Sequence, residues 1–171
     1  MDEPNIYAAP TTDVNLDTEP NQGLTSIHHE LKSQGTWRLF FLSVITLGIY
    51  LAHYIRRQTN ILNKNLSHGE QISGGFITTI LVMSYITAIL VIPYSLLEEG
   101  HIIERVSDLG DKILNICLLV WAFKARNRMN TILQVKAGSP HWFHGLWTFL
   151  FQGLYFNYKV NKLNENHNKS Q

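Results

Sequence analysis

The chain has 171 residues, 45% hydrophobic, 11% aromatic and 16% charged, with a net charge of +1. That length suits one domain, and the near-neutral balance leaves no electrostatic footprint for a nucleic-acid partner. Cys117 is the only cysteine, which excludes an intramolecular disulfide and a cysteine-based metal site; set in an apolar run, it reads as a small hydrophobe. The mean hydropathy of −0.04 conceals a segregated pattern, with polar residues at the ends and apolar ones in blocks.

Residues 1–34 read as a disordered acidic tail. Asp2, Glu3, Asp13, Asp17, Glu19 and Glu30 all precede the first basic residue, Lys32, and so few large apolar groups cannot offset the entropy of ordering. The tail lacks the basic start and apolar run of a signal peptide. Its stretch Leu24–Leu31 is compatible with a short helix leading to the membrane. His28 and His29 there face different ways on a helix, which argues against a metal site.

Residues 35–164 read as an integral membrane domain. The first apolar block, 39–55, is bounded by Arg38 and Arg56; it sits at the lower length limit for a helical span, and Gly48 offers a place to break. Trp37, Tyr50 and Tyr54 are aromatics of the kind that settle at the headgroup level. Arg56, Arg57 and Lys64 then belong to a basic helix lying along the membrane surface. No charge occurs over residues 71–97, and Phe76–Leu97 is the strongest candidate span in the chain. Gly74 and Gly75 mark its start, and Pro93 marks a kink. Thr78, Thr79, Ser84 and Thr87 on it either bond back to their own helix or reach a neighbour.

Residues 98–112 read as a solvated acidic loop, with Glu98, Glu99, Glu104, Asp108 and Asp111 against Arg105 and Lys112. The next apolar block, 113–123, covers only about 16 Å at helical rise, roughly half the hydrocarbon thickness. It spans if it extends back to Leu109 with Lys112 and Lys124 snorkelling. Lys124, Arg126 and Arg128 open a second basic helix, which Gly138, Ser139 and Pro140 end. The last apolar block is 142–158; from Lys159 the chain is expected to fray, and 165–171 reads as a disordered tail.

A shift of 105 residues lays Trp37 on Trp142, Ser43 on Thr148, Gly48 on Gly153, Ile49 on Leu154 and Tyr50 on Tyr155. Beyond that the match loosens, with Tyr54 answering to Tyr158. Segments 37–63 and 142–164 therefore read as an internal repeat, a common device in membrane folds. The T-L-G-I-Y run at Thr46–Tyr50, the aromatic exit at Tyr54, the basic run to Asn63 and the span at 76–97 resemble the DUF4234 family of bacterial membrane proteins. The second copy resembles it more weakly, with Gln152 where the family pattern is apolar. That family is of unknown function. The resemblance implies a multi-pass domain of a bacterial inner membrane and assigns no catalytic residue, cofactor or metal.

Charge then discriminates between topologies. If all four apolar blocks cross, seven Lys and Arg fall on each side, and the positive-inside rule gives no orientation. If 39–55 and 142–158 dip in and return, only 76–97 and 113–123 cross, and twelve basic residues face two. The expected fold class is an all-α membrane protein of two to four transmembrane helices. In the two-span arrangement that the charges favour, both Trp…Gly-[IL]-Tyr segments are re-entrant and both termini are cytoplasmic; in the four-span one these segments cross; basic amphipathic helices flank them in either.

No Walker loop, G-x-S-x-G, H-E-x-x-H or cysteine pair is present, and the long span carries no charged residue of the kind that marks an ion path. The expected function is a non-enzymatic interaction or accessory subunit, in contact with the lipid bilayer and with further copies of itself or another membrane protein. An oligomeric channel or transporter-like pathway is the alternative, resting on the Thr/Ser face and Pro93. A membrane enzyme using His53, His141 and His144 is the third reading.

Overall fold

The computed structural model describes residues 27, 29–31, 34–96 and 102–168. Most of the acidic tail, His28 and the stretch 97–101 lie outside them. The regular elements described are all helices: α1 Thr36–Ile45, α2 Ile49–Lys64, α3 Gly74–Leu96, α4 Ile102–Ile132 and α5 Gly145–Asn168.

The first apolar block does not form one helix. Gly48 donates its N–H to the Ser43 carbonyl at 2.7 Å and Leu47 to that of Val44 at 3.1 Å, the paired bonds of a Schellman motif. Leu47 (φ 50) and Gly48 (φ 88) both take left-handed backbone there. Thr46 spans the break: its hydroxyl donates to the Leu42 carbonyl at 2.7 Å and accepts the Tyr50 N–H at 3.0 Å. The chain then reverses. Tyr50 donates to Gln34 Oε1, and Gln58 Nε2 donates to the Leu31 carbonyl at 3.1 Å, so α1 and α2 are the antiparallel arms of a hairpin. The ten residues of α1 rise about 15 Å, half a hydrocarbon thickness.

Helix α3 has 23 residues, with Pro93 inside it. Its window Gly74–Val91 is long and apolar enough to cross a membrane, and only 28% of that window is buried.

Helix α4 joins three stretches that composition separates. The segment from Ile102 to Lys112 is helical rather than a solvated loop, and it continues without a break through the apolar block into the basic run. Ser107, Leu114, Trp121, Ala125 and Met129 are buried at helical spacing on one face. Glu104 in the first turn suits the positive end of the helix dipole. With 31 residues, α4 is about 46 Å long.

Helix α5 contains one non-helical residue, Gln152 (φ 42, ψ −119), and therefore consists of two arms. The stretch leading into it runs back alongside its second arm: Lys159 Nζ donates to the Pro140 carbonyl at 2.6 Å, and the His144 N–H donates to the Tyr155 hydroxyl at 3.0 Å. The C-terminal residues do not fray at Lys159. They stay helical to Asn168 because Val160 and Leu163 are buried.

The core lies where both hairpins meet the second half of α4. Trp121 and Phe143 are fully buried and Phe156 nearly so, with ring centroids 5.6 Å apart for Trp121–Phe156 and 5.7 Å for Phe143–Phe156. Trp121 Nε1 donates to Thr59 Oγ1 at 2.8 Å, which sets α2 beside α4. Ile27 and Leu31 are also buried, so the fold already includes the chain at Ile27. Two asparagines pin the connecting loops. Asn63 takes the N–H and carbonyl of Ile72, each at 2.9 Å. Asn130 takes those of Phe143, at 2.9 and 3.3 Å. A side-chain amide offers one donor and one acceptor arm, so each satisfies a buried loop residue that has no helix to do so.

Candidate functional site

The two hairpins stand against one another. Asn157 Nδ2 of α5 donates to the Gln34 carbonyl and to Thr36 Oγ1, both at 3.1 Å, and Asn161 Nδ2 donates to the same carbonyl at 2.9 Å. Between them lies a cavity of about 810 Å³ lined by Thr36, Trp37, Phe40, Trp147, Phe151, Leu154, Tyr155 and Tyr158. Its walls are mainly aromatic. Trp37 packs against Phe40 and Phe41, and Trp147 stacks on Phe151 at 5.8 Å. Trp37 is 74% exposed.

Positions 105 residues apart in the two hairpins share local geometry. Leu47 and Gln152 both have positive φ and both end a helical arm. Ser43 donates to the Leu39 carbonyl at 2.6 Å, and Thr148 to that of His144 at 2.8 Å. Tyr50 and Tyr155 each place a hydroxyl on the opposite arm of their own hairpin. The glycines differ. Gly48 has open space around it and serves its φ of 88. Gly153 serves close packing, since an added Cβ would lie 3.2 Å from Leu51 Cδ1 and 3.6 Å from Trp121 Cζ3.

The remaining motif residues have individual surroundings. Tyr54 is buried in the helical core, and its hydroxyl has no partner. Burial pushes its phenol pKa well above the ordinary value, against a smaller lowering by the Arg57 charge. Tyr158 is exposed. Trp142 lies under the Arg126 guanidinium, 5.4 Å from the ring centroid. Of the basic residues, Arg56, Arg57, Lys64 and Lys124 are exposed and Arg128 is half-buried, and the Trp121–Thr59 bond brings their two stretches side by side. Arg126 is bound inside the fold, its Nε donating to the Phe143 carbonyl at 2.7 Å and its Nη1 to Asn127 Oδ1 at 2.9 Å. Lys159 has its pKa lowered by partial burial and then by the nearby Lys162 charge.

Thr78, Thr79, Ser84 and Thr87 each bond within α3, to the carbonyls of Gly74, Gly75, Ile80 and Ser84. His53 Nε2 lies 2.9 Å from the Tyr85 hydroxyl. Among the described residues no three His, Cys, Asp or Glu side chains converge to hold a metal, and His53, His141 and His144 form no such cluster. Gln34, Asn157 and Asn161, which join the hairpins, did not stand out in the sequence. Their one signal is the Asn pair spaced by four across the end of the last apolar block.

Fold and site define an all-helical protein with one described helix, α3, long and apolar enough to cross a membrane. The chain belongs to the family "Domain of unknown function (DUF4234)", which it matches over residues 34–131, more than half of its length. The match takes in the first hairpin, α3 and nearly all of α4, and it stops before α5. No curated protein and no solved structure matches the chain.

Proposed function

We propose that this is a non-enzymatic, multi-pass membrane protein acting as an interaction or accessory subunit. Its two hairpins are copies of one re-entrant unit, and both carry their basic arms on the cytoplasmic side. The observation that carries this reading is the pair of breaks at Leu47 and Gln152, 105 residues apart and both left-handed, in segments that leave much of their apolar surface bare. Trp37, Phe41, Val44 and Ile45 on one hairpin and Leu146, Phe149, Leu150 and Phe151 on the other are each 50% exposed or more. Bare apolar surface on that scale marks a membrane or protein interface. The first arm of each hairpin, α1 and the part of α5 before Gln152, rises about 15 Å or less, too short to cross and suited to insertion into one leaflet. Non-helical backbone is tolerated at that depth where protein covers it: the second tip is covered, with Gly153 packed against Leu51 and Trp121, while Gly48 at the first tip has open space around it.

Side-specific thiol labelling tests the topology. In a Cys117→Ser background, single cysteines are placed at Lys32, Lys64, Glu99 and Lys169 in separate variants, and intact cells are treated with a membrane-impermeant reagent. The re-entrant arrangement expects reaction at position 99 alone. Reaction at 32, 99 and 169 but not at 64 means four spans and overturns it.

A further inference from the structure

The strongest unexplained feature is a charged stripe on α4. Three faces run along the first half of that helix. Ser107, Gly110 and Leu114 turn toward α3 or the interior: an added Cβ at Gly110 would lie 3.4 Å from Thr87 Cγ2 and 3.9 Å from Met83 Cε. Val106, Leu109, Ile113 and Ile116 form an exposed apolar face. Arg105, Asp108, Asp111, Lys112 and Asn115 form the third, also exposed, with spacings of three and four that keep them on one side of a helix.

The Gly110 contact fixes the height of this stripe. Thr87 lies about 20 Å along α3 from Gly74 and about 14 Å before Leu96 at helical rise. Asp108, Asp111 and Lys112 are within two residues of Gly110, so they sit beside the later part of the apolar window Gly74–Val91 of α3, the one described helix apolar enough to span. Ionised side chains at such a depth face lipid only at high cost, and they pair or turn to a protein interior. The stripe holds two acids and two bases, Asp108 and Asp111 with Arg105 and Lys112, and so is neutral as a whole and self-complementary.

We infer that this stripe is the contact face between two copies of the chain. The inference rests on the membrane reading above and names the surface through which the protein associates. A two-fold axis parallel to α3 brings equal heights together. It sets Asp111 of one copy against Lys112 of the other, and Asp108 against Arg105, with each contact made twice as in any isologous pair. The exposed apolar face beside the stripe stays with the lipid.

The test uses charge reversal in the full chain, co-expressed with two different tags and extracted in mild detergent from carbonate-washed membranes. One form carries Asp108→Lys and Asp111→Lys, the other Arg105→Glu and Lys112→Glu. The wild-type tags are expected to co-purify. Each reversed form paired with itself should lose at least tenfold of that recovery. The two reversed forms expressed together should recover the wild-type yield, which a folding defect could not produce. Self-pairing that survives either reversal overturns the inference. So does wild-type chain that stays in washed membranes without co-purifying, whether alone or with a different membrane protein, although the membrane reading then stands. Chain released by the carbonate wash overturns both.

Discussion

Gly48 and Gly153 occupy matching places for different physical reasons, and substitution should separate them. Gly48→Ala meets no neighbour but forces a side chain onto a φ of 88, at about 1–2 kcal/mol. Gly153→Ala drives a methyl against Leu51 and Trp121, an overpacking cost of about 1–3 kcal/mol. Thermal melts in detergent should show both losses. Asn should rescue position 48, since Asn tolerates left-handed backbone, and should not rescue 153. Gln152 is the converse case, a side chain at φ 42 and ψ −119 where glycine rests more easily. Gln152→Gly should raise the midpoint, since relief of about 1–3 kcal/mol of strain exceeds the entropy glycine adds. Tyr54 carries a buried hydroxyl without a partner. Tyr54→Phe removes an unsatisfied group and should stabilise by about 1 kcal/mol. The same residue sets a pH dependence. Its phenol is held protonated in the fold beyond the ordinary phenol range near 10, so the folded state keeps a proton that the unfolded state sheds. Stability from this group is full below that value and declines as pH rises beyond it. Stability curves at pH 8 and above 10 should converge in shape for the Phe variant relative to the parent.

At the scale of elements, the two Asn latches decide whether helices meet in register. Asn130→Ala leaves the buried N–H of Phe143 without its partner, at about 1–3 kcal/mol for one stranded group, while the Phe143 carbonyl keeps its bond from Arg126 Nε. Asn130→Asp keeps the acceptor and loses the donor, so it should fall between parent and Ala in a denaturant or thermal series. These elements also show what a sequence can and cannot carry. The break in the first apolar block was legible, because Gly48 sits in mid-run and glycine supplies left-handed backbone. The break at Gln152 was legible only to within a residue, through the likeness of the residues around Gly153 to those around Gly48, because nothing in a glutamine announces a positive φ. The acidic segment 102–112 was misread as loop because its charges are conspicuous and its small buried positions, Ser107 and Gly110, are not. Of the junction of the hairpins only the Asn157–Asn161 spacing was legible: Gln34 contributes its backbone carbonyl, and main-chain groups carry no sequence signature.

For the molecule as a whole, composition correctly gave an all-helical class and one long apolar helix, because both follow from local pattern. How the pieces combine depends on contacts distant in sequence, such as Trp121–Thr59 and Asn157–Gln34, which no window of residues contains. The long helix α4 links these regions. Its first half carries the charged stripe beside α3, and its second half supplies Trp121, Ala125 and Met129 to the core, where Phe143 and Phe156 close over the Trp121 side. The family match ends at residue 131, and the second hairpin, outside it, packs Phe156 against Trp121. A chain cut after Ile132 would keep every helix of the matched part and yet lay bare its largest ring. Such a fragment should stick to itself or to detergent through the Trp121 face, with red-shifted tryptophan emission, and adding the separate 138–171 peptide in trans should quench that stickiness and restore the blue-shifted spectrum.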